Sequence, residues 1–420
     1  PYPGEWLLSI DNPNAPIPQF VNAMKTAGIE VAGESVVQGL KLEQRTGPDN
    51  QPYILTTYTV TDKNNTPYTM GFIAQKNEKG EWRWEKLRLK HLVIFTGISI
   101  GGTVNIAEPG FRDRKYKETA ISEFNWLSDT GCFMEECIHE YPPIDVINWI
   151  VNKYNPIDST RTYHFLWIHD KHPRITNKDQ FDAFVNHRAD DFIPLLKLLK
   201  GKNVEIIVAN EPFYFVGWQA GDFYDAYGKQ WPTRAATLLF QRLTEAGLKY
   251  NEDYHFMIVN QYNIIPDLSN DSSVYYNYLK TIKSSLEQNI GSLPITVGLQ
   301  FHIGPDDDGY IREDHLFLQD PKNIPRLKAY FRKLCEIGKV QITELDFDDS
   351  ITDLGQKSRI LNNIFTAAIE SEGCVENITF WGGPLNNNAR FRPDLFSTLN
   401  YQPMAPYYSL IGTAVRSNDK

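Results

Sequence analysis

Cysteine is scarce. Four residues (Cys132, Cys137, Cys335 and Cys374) in a 420-residue chain are too few for a disulfide scaffold, and their spacing matches no zinc site. Cys132 and Cys137 are near enough in sequence to pair, and free buried thiols fit them equally well. No stretch approaches the roughly 20 apolar residues that span a bilayer. Positive charge is not in surplus either: the formal net charge of −10 argues against nucleic acid or an anionic membrane as partner. Neither G-x-G-x-x-G nor a P-loop occurs, so the common dinucleotide and nucleotide sites have no anchor here. The chain begins at Pro1 without a basic-then-apolar leader, and we expect a processed or trimmed form of an extracellular protein whose signal is out of view. The glycosylation sequons at Asn64, Asn270 and Asn377 are short enough to arise by chance.

What is present is ordinary for a globular protein, with 41% hydrophobic and 22% charged residues. The length accommodates one large domain and a small one. Aromatic residues reach 13%, and flat rings suit sugars, although most should serve the core. Residues 1–91 read as an accessory module, α+β or β-rich. Apolar residues Ile17, Phe20, Val21, Met24 and Ala27 recur at helical spacing. Strand-like runs follow at Tyr53–Val60, Tyr68–Gln75 and Glu81–Leu89, the first two separated by the turn-forming DKNNTP. Trp82 and Trp84 are candidates for a sugar platform, with packing as the simpler use.

From residue 92 to 420 the pattern becomes alternating. Short apolar runs lie near 93–104, 121–127, 162–168, 204–210, 255–260, 295–301, 340–345 and 377–381. Helical stretches separate most of them, including Phe181–Lys200, Thr233–Ala246, Tyr275–Asn289, Ile324–Ile337 and Lys357–Ser371. Eight strands alternating with helices predict a (β/α)₈ TIM barrel of the α/β class, with a doubly wound sheet as the competing topology. The missing glycine-rich turn weighs against the latter.

Polar residues gather where these runs end. Glu211 closes VEIIVANEP and Glu344 closes the apolar part of KVQITELDF. A carboxylate at the end of a buried strand is costly to desolvate and needs partners or a task. Asn210, Asn260, Gln261, Gln300, His302 and Trp381 also occupy run ends, as side chains from several strands do in barrel enzymes. Two carboxyls facing one cleft would suit glycosidic bond cleavage. Structural salt bridges are the alternative for each glutamate alone. The acidic run Asp306–Asp308 is read as a solvated loop rather than a calcium site.

In order along the chain, GISIGGTV, YKETAISEFN, HFLWIHDKHP, VANEP, MIVNQYN, VGLQFHIG, ITELDF and ITFWGG resemble the strand motifs of glycoside hydrolase family 10, the retaining endo-β-1,4-xylanases. The resemblance runs from about Gly97 to Tyr408. It implies Glu211 as acid/base and Glu344 as nucleophile. It also implies His164, His169, Asn210, Gln300, His302 and Trp381 around the substrate ring, with Tyr262 and Asn260 toward the leaving group. The implied partner is a polysaccharide or oligosaccharide handled by a monomer, with no cofactor and no metal. Two segments depart from the family: FNWLSDTGCFMEE stands where acidic and amide residues normally hold sugar hydroxyls, and LNNNARFRP offers Arg390 and Phe391 where a second aromatic residue is usual. Xylan is therefore the default polymer, another β-linked glycan or glycoside the alternative. A non-catalytic carbohydrate-binding barrel is the reading from a different class.

Overall fold

The computed structural model describes residues 16–29, 41–46, 52–104, 114–129, 161–167, 174–202, 204–212, 221–262, 274–305, 313–382, 391–397 and 401–417. Eight parallel strands form its centre: β5 (Ser99–Val104), β6 (Trp126–Asp129), β7 (Arg161–Trp167), β8 (Val204–Asn210), β9 (Tyr254–Gln261), β10 (Thr296–Leu299), β13 (Lys339–Asp348) and β14 (Val375–Phe380). Each pairs with the next, and β14 returns to β5, so the sheet closes into a barrel. Such strands are covered on both sides, and β8 accordingly is buried at every position. The (β/α)₈ expectation holds. Two short strands, β11 (His302–Gly304) and β12 (Glu313–Asp314), extend the rim above β13, and β15 (Phe391–Arg392) pairs antiparallel with its end.

Helices start where caps permit. Asn177 accepts a bond from the Gln180 amide at 3.0 Å and opens Lys178–Leu198, three residues before the first expected apolar position. Asp353 likewise accepts from the Gly355 amide at 2.8 Å and opens Leu354–Glu370. Two runs read as strands are divided. Leu92–Thr96 is a helical turn ended by Gly97 at φ 73°, so β5 begins only at Ser99. The 121–127 run begins as the end of helix Arg114–Glu123, whose Tyr116 and Ala120 are buried, and β6 takes up only Trp126–Asp129.

Ahead of the barrel, helix Pro16–Thr26 precedes a four-stranded antiparallel sheet of β1 (Lys41–Thr46), β2 (Pro52–Thr61), β3 (Pro67–Lys76) and β4 (Trp82–Lys86). The sequence KLEQRT carries no apolar alternation, which is why β1 escaped the pattern. This sheet is welded to the closing helix Ala405–Ser417. Phe20 stacks edge-to-face on Tyr408 at 4.8 Å, and a Cβ on Gly412 would lie 2.7 Å from the Pro67 carbonyl oxygen. One continuous apolar core therefore joins sheet and barrel. Trp84 packs onto that core, and the ammonium of Lys76 sits 5.4 Å from the ring centre of half-buried Trp82. Asn377 is fully buried in β14 and inaccessible as a glycosylation acceptor, whereas Asn64 is exposed in the β2–β3 turn. Cys335 and Cys374 are free thiols. Cys132, Cys137, Asn270 and Asp306–Asp308 lie outside the described residues.

Candidate active site

The polar strand ends converge at the carboxyl pole of the barrel. Asn210 closes β8, and Glu211 follows at φ 53°, a left-handed conformation that side chains bearing a Cβ seldom adopt. The Glu211 amide donates to the Asn260 carbonyl at 2.8 Å, so the turn that lifts this carboxyl is anchored to the neighbouring strand. Backbone strain of this kind, of order 1–3 kcal/mol, persists where the surroundings over-determine it.

Four hydrogen bonds connect the two glutamates. Gln300 Nε2 donates to Glu211 Oε1 and to Asn210 Oδ1, each at 3.2 Å. Asn260 Nδ2 donates to Asn210 Oδ1 at 2.8 Å and to Glu344 Oε1 at 2.6 Å. Asn210 Oδ1 is thus an acceptor twice over, which leaves its NH₂ group as a donor. Glu344 is only 4% exposed. Its Oε2 faces His302 Nε2 at 3.2 Å, and His302 Nδ1 faces Asp346 Oδ1 at 2.9 Å. Trp381, half-buried after β14, presents its ring edge-to-face to His302 at 6.2 Å.

Two histidines flank Glu344 and shift in opposite directions. His164 Nε2 lies 3.9 Å from Glu344 Oε1, yet burial dominates and lowers its tendency to protonate, with the glutamate only partly opposing this. Burial also disfavours charge on His302, but Asp346 and Glu344 at its two ring nitrogens outweigh it, and its pKa is held well above the ordinary imidazole value. One ring is a neutral neighbour, the other a cation shared by two carboxyls. His164 Nε2 and Gln300 Oε1 are buried without a hydrogen-bond partner among the described residues. Both lie beside the two glutamates with hydrogen-bonding capacity unspent.

The structure thus brings together Glu211, Glu344, His164, Asn210, Gln300, His302 and Trp381, while Tyr262 follows β9 half-buried at the same pole. His169 lies outside the described residues. Asn260 was expected toward the leaving group; it instead lies fully buried between Asn210 and Glu344. Gln300 and His302 do not share a strand. β10 ends at Leu299, and His302 opens β11. Asp346 escaped the sequence reading, although its i, i+2 spacing from Glu344 puts both on one face of β13. Among the described residues no three His, Cys, Asp or Glu side chains converge as a metal site would require.

The chain is similar in fold to an endo-β-1,4-xylanase of Gloeophyllum trabeum, at 16% identity and TM-score 0.58 over 78% of this chain and 99% of that one. It is similar to an endo-1,4-β-xylanase of Penicillium canescens at 12% identity and TM-score 0.58, over 78% and 98% of the two chains. An intracellular xylanase from Thermoanaerobacterium saccharolyticum JW/SL-YS485 aligns at 16% identity and TM-score 0.57, over 77% and 98%. No curated protein sequence matches the chain. The family model for glycosyl hydrolase family 10 matches residues 148–407, well over half of the sequence. The chain belongs to glycosyl hydrolase family 10.

Proposed function

We propose that this protein is a retaining endo-β-1,4-glycanase of the endo-1,4-β-xylanase type, with xylan as its polymer. The observation that supports this most directly is the hydrogen-bonded chain from Glu211 through Gln300, Asn210 and Asn260 to Glu344 at the carboxyl pole. Glycoside cleavage needs a proton for the departing oxygen and a negative group facing the anomeric carbon. Glu211, raised on its strained turn, is the acid. Glu344, held from below by Asn260 and from one side by His302, is the nucleophile. In the first displacement the Glu344 oxygen bonds to the anomeric carbon while the glycosidic C–O bond breaks, and Glu211 passes its proton to the leaving oxygen. In the second, Glu211 takes a proton from water, whose oxygen displaces Glu344. The Asn210 NH₂ group donates to the hydroxyl beside the anomeric carbon, a bond that strengthens as positive charge develops there. Trp381 floors that ring.

We place the enzyme outside the cell, where it would meet the polymer, and as a monomer. Residues 1–91 are proposed as a buttress for the barrel of 92–420, in line with the shared core at Phe20, Tyr408 and Gly412. Proton NMR of the first product anomer from xylo-oligosaccharides tests activity and stereochemistry together. A β-configured first product is expected; an α-configured one would replace the double displacement by inversion. Mixed-linkage glucan, mannan and aryl glycosides run beside xylan decide whether the altered Thr130–Met134 segment has changed the polymer.

A further inference from the structure

We propose that Gly298 is a positioning residue for Glu344, acting through Asn260: the absent side chain opens the seat from which one amide group fixes both the nucleophile and Asn210. This rests on the reading of Glu344 as nucleophile. Asn260 is fully buried, and both hydrogens of its amide group are in use. Its two amide hydrogens go to Asn210 Oδ1 and Glu344 Oε1, at 2.8 and 2.6 Å, and its Oδ1 accepts the Thr343 hydroxyl at 2.5 Å. Rotating it would break three hydrogen bonds inside the barrel.

Gly298 lies directly across from it, paired with Asn260 on one side and Gln341 on the other. A Cβ built on Gly298 would stand 2.5 Å from Asn260 Oδ1 and 3.1 Å from its Cα, and would also run into the Met257 sulfur. Gly298 does not adopt a positive φ, so the backbone itself makes no demand for glycine. A glycine within a strand lowers stability relative to alanine. Space is what remains to explain it. Thr296 and Gln300, two residues to either side on the same face of the chain, retain side chains that reach Glu205 and Asn210 respectively.

The consequence for Glu344 follows from its own torsions. The terminal torsion of a glutamate is broad, so a single hydrogen bond does not fix the plane of the carboxyl group. His302 holds Oε2, and Asn260 holds Oε1. With the second bond lost, the oxygens swing away from the line of attack, an error that costs rate rather than binding.

The test is a double-mutant cycle with Gly298→Ala and Asn260→Ala, read by steady-state kinetics on a xylo-oligosaccharide and by crystal structures of the variants. Each single change should lower kcat about 100-fold with KM within about threefold. In Gly298→Ala the Asn260 amide should leave hydrogen-bond reach of Glu344 or Asn210. In the Asn260→Ala background, adding Gly298→Ala should cost less than about tenfold more, since little is left to displace. Full additivity, or an Asn260 amide still bonded to both partners in Gly298→Ala, overturns the inference while leaving the nucleophile assignment standing. Should Gly298→Ala fail to fold, Asn260→Ala, which only removes atoms, decides alone, and an unchanged kcat there sinks the idea. A wild-type enzyme inert on every glycan tried removes the reading and this inference together.

Discussion

Two clusters of buried carboxyl, imidazole and amide groups occupy opposite poles of the same barrel. At the amino pole Glu205, His255, Thr296, Gln341 and Glu376 stand at the beginnings of their strands. Glu205 Oε1 accepts from Thr296 Oγ1 at 2.7 Å and from Gln341 Nε2 at 2.8 Å, and faces His255 Nε2 at 3.1 Å. Gln341 Nε2 also donates to Glu376 at 2.8 Å. Gln341 therefore bridges two acceptors as Asn260 does at the carboxyl pole. The ingredients are shared. What separates the poles is spare capacity and access. Glu205 is fully buried and saturated, whereas at the other pole Glu211 is half-exposed and His164 Nε2 still lacks a partner among the described residues. Chemistry resides where polar groups are buried but not yet satisfied; the satisfied cluster serves stability, as expected for that face of a barrel.

The comparison breaks most visibly if the glutamates are exchanged in effect. Glu344→Ala should lower kcat by about 10⁴-fold or more, a loss of turnover far larger than any fall in the folded fraction. Glu211→Ala should cost about 10²–10⁴-fold, with the smaller losses on aryl glycosides whose leaving group needs little protonation. Glu205→Ala should do the reverse. It removes the acceptor that Thr296, Gln341 and His255 share, costs on the order of 3–5 kcal/mol in urea unfolding, and spares the specific activity of whatever remains folded. A Glu205→Ala enzyme that is stable but dead would erase the distinction.

How much of this was legible beforehand follows the same division. The carboxyl pole showed itself because its polar residues end apolar runs, and Glu211, Glu344, Asn210, Gln300 and His302 stand out in any strand reading. The amino pole stayed silent. Glu205 and Gln341 begin their runs, where a polar residue is read as loop or cap, and the closure that buries them joins strands remote in sequence. The role of Asn260 was misjudged for a related reason. Its position at a strand end was plain, but its direction depends on the emptiness at Gly298, a contact that periodicity does not encode. β1 carries no alternation to find.

His302 sharpens the comparison through pH. Its elevated pKa means that the native state holds the proton more tightly than the unfolded chain does. The stability this contributes is complete below the ordinary imidazole value of 6.5 and is lost as pH rises through the higher native value. The same proton supplies the bond to Glu344, so its loss should contribute to the fall of kcat/KM on the alkaline side. His302→Asn should lower kcat by about 10- to 100-fold and reshape that alkaline limb. A variant with an alkaline limb identical to the wild type would dissociate His302 from the nucleophile.

The smallest effect belongs to the amino pole and tests whether its saturation is complete. Burial raises the pKa of Glu376, the Gln341 hydrogen bond works against this, and Glu205 adds to the rise. A carboxyl raised in this way supports the fold fully below its unfolded value of 4.5, and that support is lost as pH climbs through the native value. Near neutrality Glu376 is therefore a mild liability placed beside a second carboxyl. Glu376→Gln keeps an acceptor for Gln341 Nε2 and removes the charge. Its unfolding free energy should match the wild type at the acid end and exceed it increasingly as pH rises toward neutrality, with kcat within about threefold throughout, since groups with no shared partners act nearly independently. Loss of turnover in this variant would mean that the two poles communicate along the barrel axis, through Gln341, Thr343 and Asn260, and that the boundary between support and chemistry lies elsewhere.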